Sequence, residues 1–283
     1  MFPSDQSKNA RMSSFFPSLC DIIPTPPNQT SHHHFTPETE IESTATSLNW
    51  SIINKDWENS DAIIAYNDTL YIFRNDLFKV DAKSISKPEK VLSGVGPIIA
   101  ATRFRDYIYV STQTGEILRI NLLNLESECV INHLNNVCTL VSFENSILAF
   151  GDKLWRINTS DGQCEILTSH NWDSTVSAAV LNECVYAVTT CGDLWKIDLR
   201  DYAARVINKG GQTLDLILAY QDNLYLFSKS LYKVNTDGSY EKIGDNVNGI
   251  LTGVSSNDAM YVIFNSGELF MFEEDSEIIN FDE

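Results

Sequence analysis

The chain has 283 residues, of which 43% are hydrophobic and 20% charged, and it carries a formal net charge of −18 with a pI near 4.6. Phosphate backbones and anionic membrane surfaces are bound mainly through Lys and Arg, so this charge argues against direct nucleic-acid binding. Runs of about 18 apolar residues are absent from the sequence, and we expect no membrane insertion. Net acidity favours partner proteins with basic patches.

Residues 1–45 differ in kind from the rest. They hold most of the prolines together with many Ser and Thr residues, and we expect them to be a disordered arm. The opening has no basic start followed by an apolar run, which predicts a cytoplasmic or nuclear protein that is not secreted. Within the arm, Phe15, Phe16 and Leu19 form an apolar island. Such an island can fold onto a partner, or it can dock on the rest of its own chain.

From residue 51 onward the sequence repeats itself. Residues 51–80 align without a gap on residues 205–234 at a constant offset of 154, and 14 of the 30 positions are identical. Weaker copies recur at steps of 36 to 39 residues, each marked by an apolar residue followed by Tyr or Leu. The marker pairs are Leu70-Tyr71, Ile108-Tyr109, Ile147-Leu148, Val185-Tyr186, Leu224-Tyr225 and Met260-Tyr261. A fixed period is the signature of a repeat fold.

Each repeat has room for four short β-strands. In the first repeat we predict strands at 62–66, 69–74, 77–81 and 88–93, separated by turn sequences such as Asn-Asp. A four-stranded unit repeated around an axis is the blade of a β-propeller. Six repeats therefore predict an all-β fold, a six-bladed β-propeller of four-stranded blades.

The ring needs a closing strand, because an unpaired edge strand promotes aggregation. Residues 51–55 align with 205–209, the predicted outermost strand of the fourth repeat, yet they have no blade of their own. We therefore predict that an N-terminal strand near 51–55 completes the sixth blade. The alternative is that residues 278–281 fill that position. The predicted domains are the arm at 1–45, the propeller at 46–275 and an acidic C-terminal tail at 276–283.

Catalytic motifs are missing from the repeats. The predicted innermost strands are almost purely apolar, and Asp61 and its equivalent Asp215 stand at strand starts, where Asp is more often a turn residue than a base. The sequence holds no GxSxG, HExxH or CxxC pattern. We expect no enzyme activity, no cofactor and no metal site. Several acids meeting at one mouth of the central channel would instead indicate an axial hydrolase.

A cation recurs on the predicted third strand of five repeats: Lys79, Arg119, Arg156, Lys196 and Lys233. We interpret these cations as structural, with stems between blades and charged heads near solvent. The more plausible recognition surfaces are loops. On them Trp172 stands beside His170 and Asn171. An exposed Trp is a typical interface anchor, whereas a Trp under a loop is ordinary packing.

Three segments show what the repeats resemble: YIYVSTQTGEILRINL (107–122), VYAVTTCGDLWKIDL (185–199) and LYLFSKSLYKVNTDGSYEKIG (224–244). They resemble quinoprotein-like and tectonin-like propeller repeats. The resemblance covers residues 51–283 and implies the ring architecture. It transfers no functional residue, since the cofactor loops of quinoprotein dehydrogenases and the Trp-Asp ends of WD-type blades are both absent.

Together these features predict a non-enzymatic scaffold or adaptor that binds other proteins. The candidate partner-binding residues are His170, Asn171, Trp172, Phe15, Phe16 and Leu19. A lectin-like propeller that binds glycans or small ligands is the alternative, and an axial-site hydrolase is the third hypothesis. The predicted loops differ from blade to blade, which counts against repeated ligand pockets.

Overall fold

A computed structural model describes residues 48–83, 87–134, 136–210, 213–235, 237–245 and 247–274. All regular elements in these ranges are β-strands, and they form six four-stranded sheets. The predicted arm at 1–45 and the predicted tail at 276–283 lie outside the described residues, as do Phe15, Phe16 and Leu19.

Each sheet is one blade. In five blades the strands follow chain order from the innermost to the outermost, and in the sixth the first strand of the chain is the outermost. Blade one consists of β2 (Ala62–Tyr66), β3 (Thr69–Arg74), β4 (Asp76–Asp81) and β5 (Glu89–Leu92). Blade two consists of β6 (Ile98–Phe104), β7 (Tyr107–Thr112), β8 (Ile117–Asn121) and β9 (Ser127–Ile131). Blade three consists of β10 (Thr139–Phe143), β11 (Ser146–Phe150), β12 (Leu154–Asn158) and β13 (Cys164–Thr168).

Blade four consists of β14 (Thr175–Leu181), β15 (Cys184–Thr189), β16 (Leu194–Asp198) and β17 (Ala204–Asn208). Blade five consists of β18 (Leu216–Tyr220), β19 (Asn223–Phe227), β20 (Ser230–Val234) and β21 (Tyr240–Asp245). Blade six consists of β22 (Ile250–Ser255), β23 (Met260–Phe264) and β24 (Leu269–Glu274) together with β1 (Leu48–Asn54). The six-bladed all-β prediction is confirmed.

The N-terminal strand closes the ring. β1 pairs antiparallel with β24, so that Trp50 lies opposite Phe272 and Ser51 opposite Met271. Directly after β1, the Trp57 backbone N–H donates to the Gly267 carbonyl at 2.9 Å, and the Trp57 ring is buried. The predicted closure is therefore confirmed, since β1 holds the position beside β24, and the residues of the alternative, 278–281, lie outside the described residues.

The hydrophobic core lies between the blades. Among the described residues it forms six clusters, each shared by two neighbouring blades. Side chains on a strand point alternately to opposite faces, and β7 shows the consequence. Ile108 and Val110 pack in the cluster shared with blade one, whereas Tyr109 packs in the cluster shared with blade three. The second strands are apolar at their central positions because both of their faces are covered there.

Two-residue turns join the first and second strands in five blades, and a four-residue turn does so in blade six. Tyr66 pairs with Thr69, which leaves Asn67 and Asp68 at the turn, and Asn67 has a positive φ of 52°. Asn and Asp tolerate this left-handed conformation better than other non-glycine residues. The turns consequently present mostly polar and charged side chains at one end of the innermost strands.

Candidate interaction surfaces

The innermost strands surround a central channel. β2, β6, β10, β14, β18 and β22 each neighbour the next strand around the ring, and a cavity of about 770 Å³ lies among them. The strand residues that line it are mostly small or aliphatic, such as Ala65, Val141 and Ala179. The polar groups lie at the end of the channel where these strands finish, which we call the turn mouth.

One carboxylate stands at the turn mouth in every blade. These residues are Asp68, Asp106, Glu144, Glu183, Asp222 and Asp258, and we call them the carboxylate ring. Five of them are exposed and Asp106 is half-buried. Asp68, Asp222 and Asp258 come from three consecutive blades and line the same cavity. Their proximity concentrates negative charge at one end of the channel.

Two members of the ring have close polar partners. The Lys83 ammonium lies 2.7 Å from the Asp68 carboxylate. The Tyr66 hydroxyl donates to Asp106 of the next blade at 2.6 Å, and this hydrogen bond raises the pKa of Tyr66. Within the described part of the chain, Glu144 and Asp222 make no salt bridge. These two exposed carboxylates therefore remain available to a partner.

Several acids thus lie at one mouth of the channel, the arrangement that would indicate an axial hydrolase. They come from hairpin turns and not from the channel-lining strands. No group of three or more His, Cys, Asp or Glu residues in the described ranges could hold a metal ion. Besides Lys83, blade two brings cations to this mouth: the Arg103 guanidinium lies 5.5 Å from the Tyr66 ring, and Arg105 donates to Asn145 at 3.1 Å.

The opposite end of the channel, where the innermost strands begin, has a different chemistry. Asp61 and Asp215 stand there, and burial raises the pKa of both carboxyls. In Asp61 a hydrogen bond from the Ile98 backbone N–H opposes this effect. Strand irregularities in blades two, four and six leave one aliphatic residue exposed in each: Ile99, Val176 and Leu251. This mouth therefore combines two carboxyls, from blades one and five, with exposed aliphatic side chains from blades two, four and six.

Trp172 does not lie on the surface. Its side chain is 1% exposed, and the ring centroids of Phe150 and Trp195 lie 5.6 Å and 5.3 Å away. The indole N–H donates to the Thr168 hydroxyl at 2.9 Å. The interface-anchor interpretation of Trp172 is therefore corrected to the packing interpretation, because the loop carries the ring into the cluster between blades three and four.

The neighbours of Trp172 are exposed, but each has a structural contact. The His170 ring lies 4.8 Å from Trp172 and 4.9 Å from Trp195, so it covers the two indoles. The Asn171 side chain accepts a hydrogen bond from the Asp173 backbone N–H at 3.0 Å, which fixes the turn. Partner binding by His170 and Asn171 stays a prediction.

The repeated cations of the third strand mostly have a partner on the fourth strand. Lys79 lies 2.9 Å from Glu89, and Arg119 donates through Nε to Glu128 at 2.7 Å. Arg156 forms a salt bridge with Glu165. The structural interpretation of these cations agrees with these contacts.

The carboxylate ring was missed in the sequence, although a signal for it exists. In five repeats an acid stands two positions before the marker pair, as Asp68 does before Leu70, and in the third repeat Glu144 stands one position earlier. Each acid taken alone is an ordinary turn residue. Only alignment of the repeats against each other shows that the charge recurs at one place on the ring.

In the part of the chain that the structure describes, no helix is long and apolar enough to cross a membrane. No protein-family model and no curated protein sequence matches the chain. Solved structures do resemble it in fold, and those described next do so at low sequence identity.

A structural-genomics protein of unknown function from Bacteroides thetaiotaomicron matches with a TM-score of 0.65 at 9% identity, over 81% of this chain and 76% of that one. The WD40 β-propeller domain of Doa1 matches with a TM-score of 0.61 at 10% identity, over 80% and 98%. Virginiamycin B lyase from Staphylococcus aureus matches with a TM-score of 0.58 at 10% identity, over 81% and 100%. These likenesses establish a generic β-propeller with no specific family.

Proposed function

We propose that the protein is a non-enzymatic interaction scaffold that binds a basic surface of a partner protein at the turn mouth. The observation that supports this proposal is the carboxylate ring, in which one acid per blade surrounds the same end of the channel. β-Propellers commonly mediate protein interactions. The fold alone does not choose a function, since a lyase shares it.

Electrostatics favours this partner class. The chain carries a net charge of −18, and a concentration of one charge sign accelerates encounter with a partner of the opposite sign. Exposed ion pairs contribute only about 0.2–1 kcal/mol each. Binding at the ring therefore depends on several carboxylates acting together, and it weakens as salt screens them.

A paired set of variants tests the proposal. Glu144→Gln with Asp222→Asn removes two exposed carboxylates that make no salt bridge with other described residues. Asp152→Asn with Asp173→Asn removes two charges from loops at the other end of the ring and serves as the control. Native co-purification with mass spectrometry compares both with the unaltered protein.

We expect protein partners with basic surfaces on the unaltered and control baits, released by raised salt. Affinity measured with the purified partner should fall about threefold to tenfold for the ring variant, as two exposed ion pairs predict. Equal partner affinity for ring and control variants would place binding elsewhere on the propeller. Retention of no protein on any bait would remove the support for a scaffold, and glycan and metabolite screens would then test the lectin-like alternative.

A further inference from the structure

A row of three side chains crosses each of four blades, from the second strand to the fourth. The strand registers place an aromatic or aliphatic residue, a cation and a Glu side by side. The rows are Tyr71–Lys79–Glu89, Tyr109–Arg119–Glu128, Leu148–Arg156–Glu165 and Tyr225–Lys233–Glu241. The Glu thus gives the cation a carboxylate directly across the strand pair, where opposite charges stabilise each other.

Blade four breaks this rule. Its row is Tyr186–Lys196–Arg205, so an arginine stands where the other four blades have Glu. Like charges directly opposite each other on neighbouring strands destabilise a sheet. Among the described residues, neither Lys196 nor Arg205 forms a salt bridge. The Lys196 ammonium lies 5.4 Å from the Tyr186 ring centroid. Blade four therefore has an additional cation and lacks a carboxylate.

A cavity of about 610 Å³ lies at this place, lined by Lys196 and Arg205. Three acids also border it. Asp198 is held by the Arg200 guanidinium through two hydrogen bonds of 3.0 and 2.6 Å, and Asp201 accepts the Ala203 backbone N–H at 2.9 Å. The third acid, Glu183, is exposed and belongs to the carboxylate ring.

We propose that the blade-four cavity binds a carboxylate of a ligand, which takes the position that Glu occupies in the other rows. Lys196 and Arg205 hold it by charge-assisted hydrogen bonds, and the planar arginine fork suits a carboxylate. The carboxylate comes from a free small acid or from an acidic side chain of a peptide. This site is separate from the proposed scaffold function and does not depend on it.

The charge state of the pair suits this role. The pKa of Lys196 lies above its ordinary value, mainly because the ammonium donates a hydrogen bond to the Tyr186 hydroxyl. The charge of Arg205 acts in the opposite direction and is the smaller effect. Lys196 is consequently protonated at neutral pH. A bound carboxylate would relieve the repulsion between the two cations.

Titration of the full chain followed by NMR of the arginine Nε–Hε groups tests the site. The probes are glutarate, an acetylated and amidated tetraglutamate peptide, and inorganic phosphate. We expect a saturable shift of the Arg205 signal with a midpoint on the order of 1 mM, the range of a small contact surface. Glutarate binding alone assigns the site to free acids, and peptide binding, with or without glutarate, assigns it to acidic side chains.

Two variants decide the outcome. Arg205→Glu restores the row of the other blades, so it should fold at least as stably in urea while binding the carboxylate probes at least tenfold more weakly. Because this variant has no Arg205 signal, its binding and that of the unaltered protein are compared through the Nε–Hε signal of Arg200, which lines the same cavity. Lys233→Ala removes the equivalent cation of blade five and should leave the Arg205 titration unchanged. Unaltered binding in Arg205→Glu, no saturable shift with either carboxylate probe, or tighter binding of phosphate than of both would each overturn the proposal.

Discussion

The burial of Trp172 makes a prediction that the sequence alone could not make. Its ring is 1% exposed and touches Phe150, His170 and Trp195, while its N–H is bound to Thr168. A buried Trp covers about 150–250 Å², which corresponds to roughly 4–6 kcal/mol at 25 cal/mol per Å². Measured Trp-to-Ala costs in protein cores are about 3–5 kcal/mol. We therefore expect Trp172→Ala to lower the free energy of unfolding by about 3–5 kcal/mol.

Urea unfolding followed by circular dichroism measures this cost. Trp50→Ala is the matched control, because the same side chain is removed from a position that is 64% exposed. Surface substitutions of this kind usually change stability by less than about 1 kcal/mol. Trp172→Phe keeps an apolar ring and loses the hydrogen bond to Thr168, so it should cost about 1–2 kcal/mol.

The reasoning fails if Trp172→Ala and Trp50→Ala unfold at the same urea concentration. That result would mean that the ring of Trp172 contributes no more burial than an exposed indole. It would return Trp172 to the interface interpretation, and partner affinity would then have to fall in Trp172→Ala without a loss of stability.

Two further predictions concern ring closure and thiol chemistry. A chain that begins at Asp56 lacks β1 and leaves the edge of β24 unpaired, so we expect a lower melting temperature and aggregation on size-exclusion chromatography. A chain that begins at Ser47 keeps β1 and should behave as the full protein. Identical melting curves for the two shortened chains would contradict the closure. Burial raises the pKa of the Cys138 thiol to about 11, so iodoacetamide at pH 8 should modify Cys138 at least tenfold more slowly than the exposed Cys129 and Cys164, as mapped by mass spectrometry. Equal alkylation rates at the three thiols would refute the burial of Cys138. The raised pKa also means that the contribution of Cys138 to stability is present below its ordinary pKa of 9.0 and is lost as the pH rises towards 11.

The strands were predictable because local sequence and repeat period point to the same answer. The predicted 62–66 and 69–74 agree with β2 and β3, and the next two strands differ by one residue at their ends. The two-residue turn at Asn67 sets the register of this hairpin, which leaves little freedom in its bounds. The closing strand was predicted at 51–55 and begins earlier, at Leu48, because pairing with β24 extends beyond the aligned repeat.

The side-chain partners were not predictable in the same way. The pairing of Lys79 with Glu89 depends on the register between the third and fourth strands, and an irregularity between Leu77 and Phe78 shifts that register. A shift of one residue moves a side chain to the other face of the sheet. The position of Trp172 likewise depends on the path of its loop, since its backbone N–H donates to Gly151 at 2.7 Å. Neither contact follows from local sequence.

The comparison of Lys79 with Lys196 shows how a repeat protein can separate its structural residues from its candidate binding residues. Both lysines hold the same place in the repeat, and each lies opposite a tyrosine on the second strand. We interpret these shared contacts as part of the blade structure. They differ in what stands across the strand pair: Glu89 neutralises Lys79, whereas Arg205 adds a second positive charge beside Lys196. Stability would favour the glutamate in both blades. The carboxylate site that we propose in blade four rests on this difference: the ring pairs the cation with Glu in four blades and places Arg there in one.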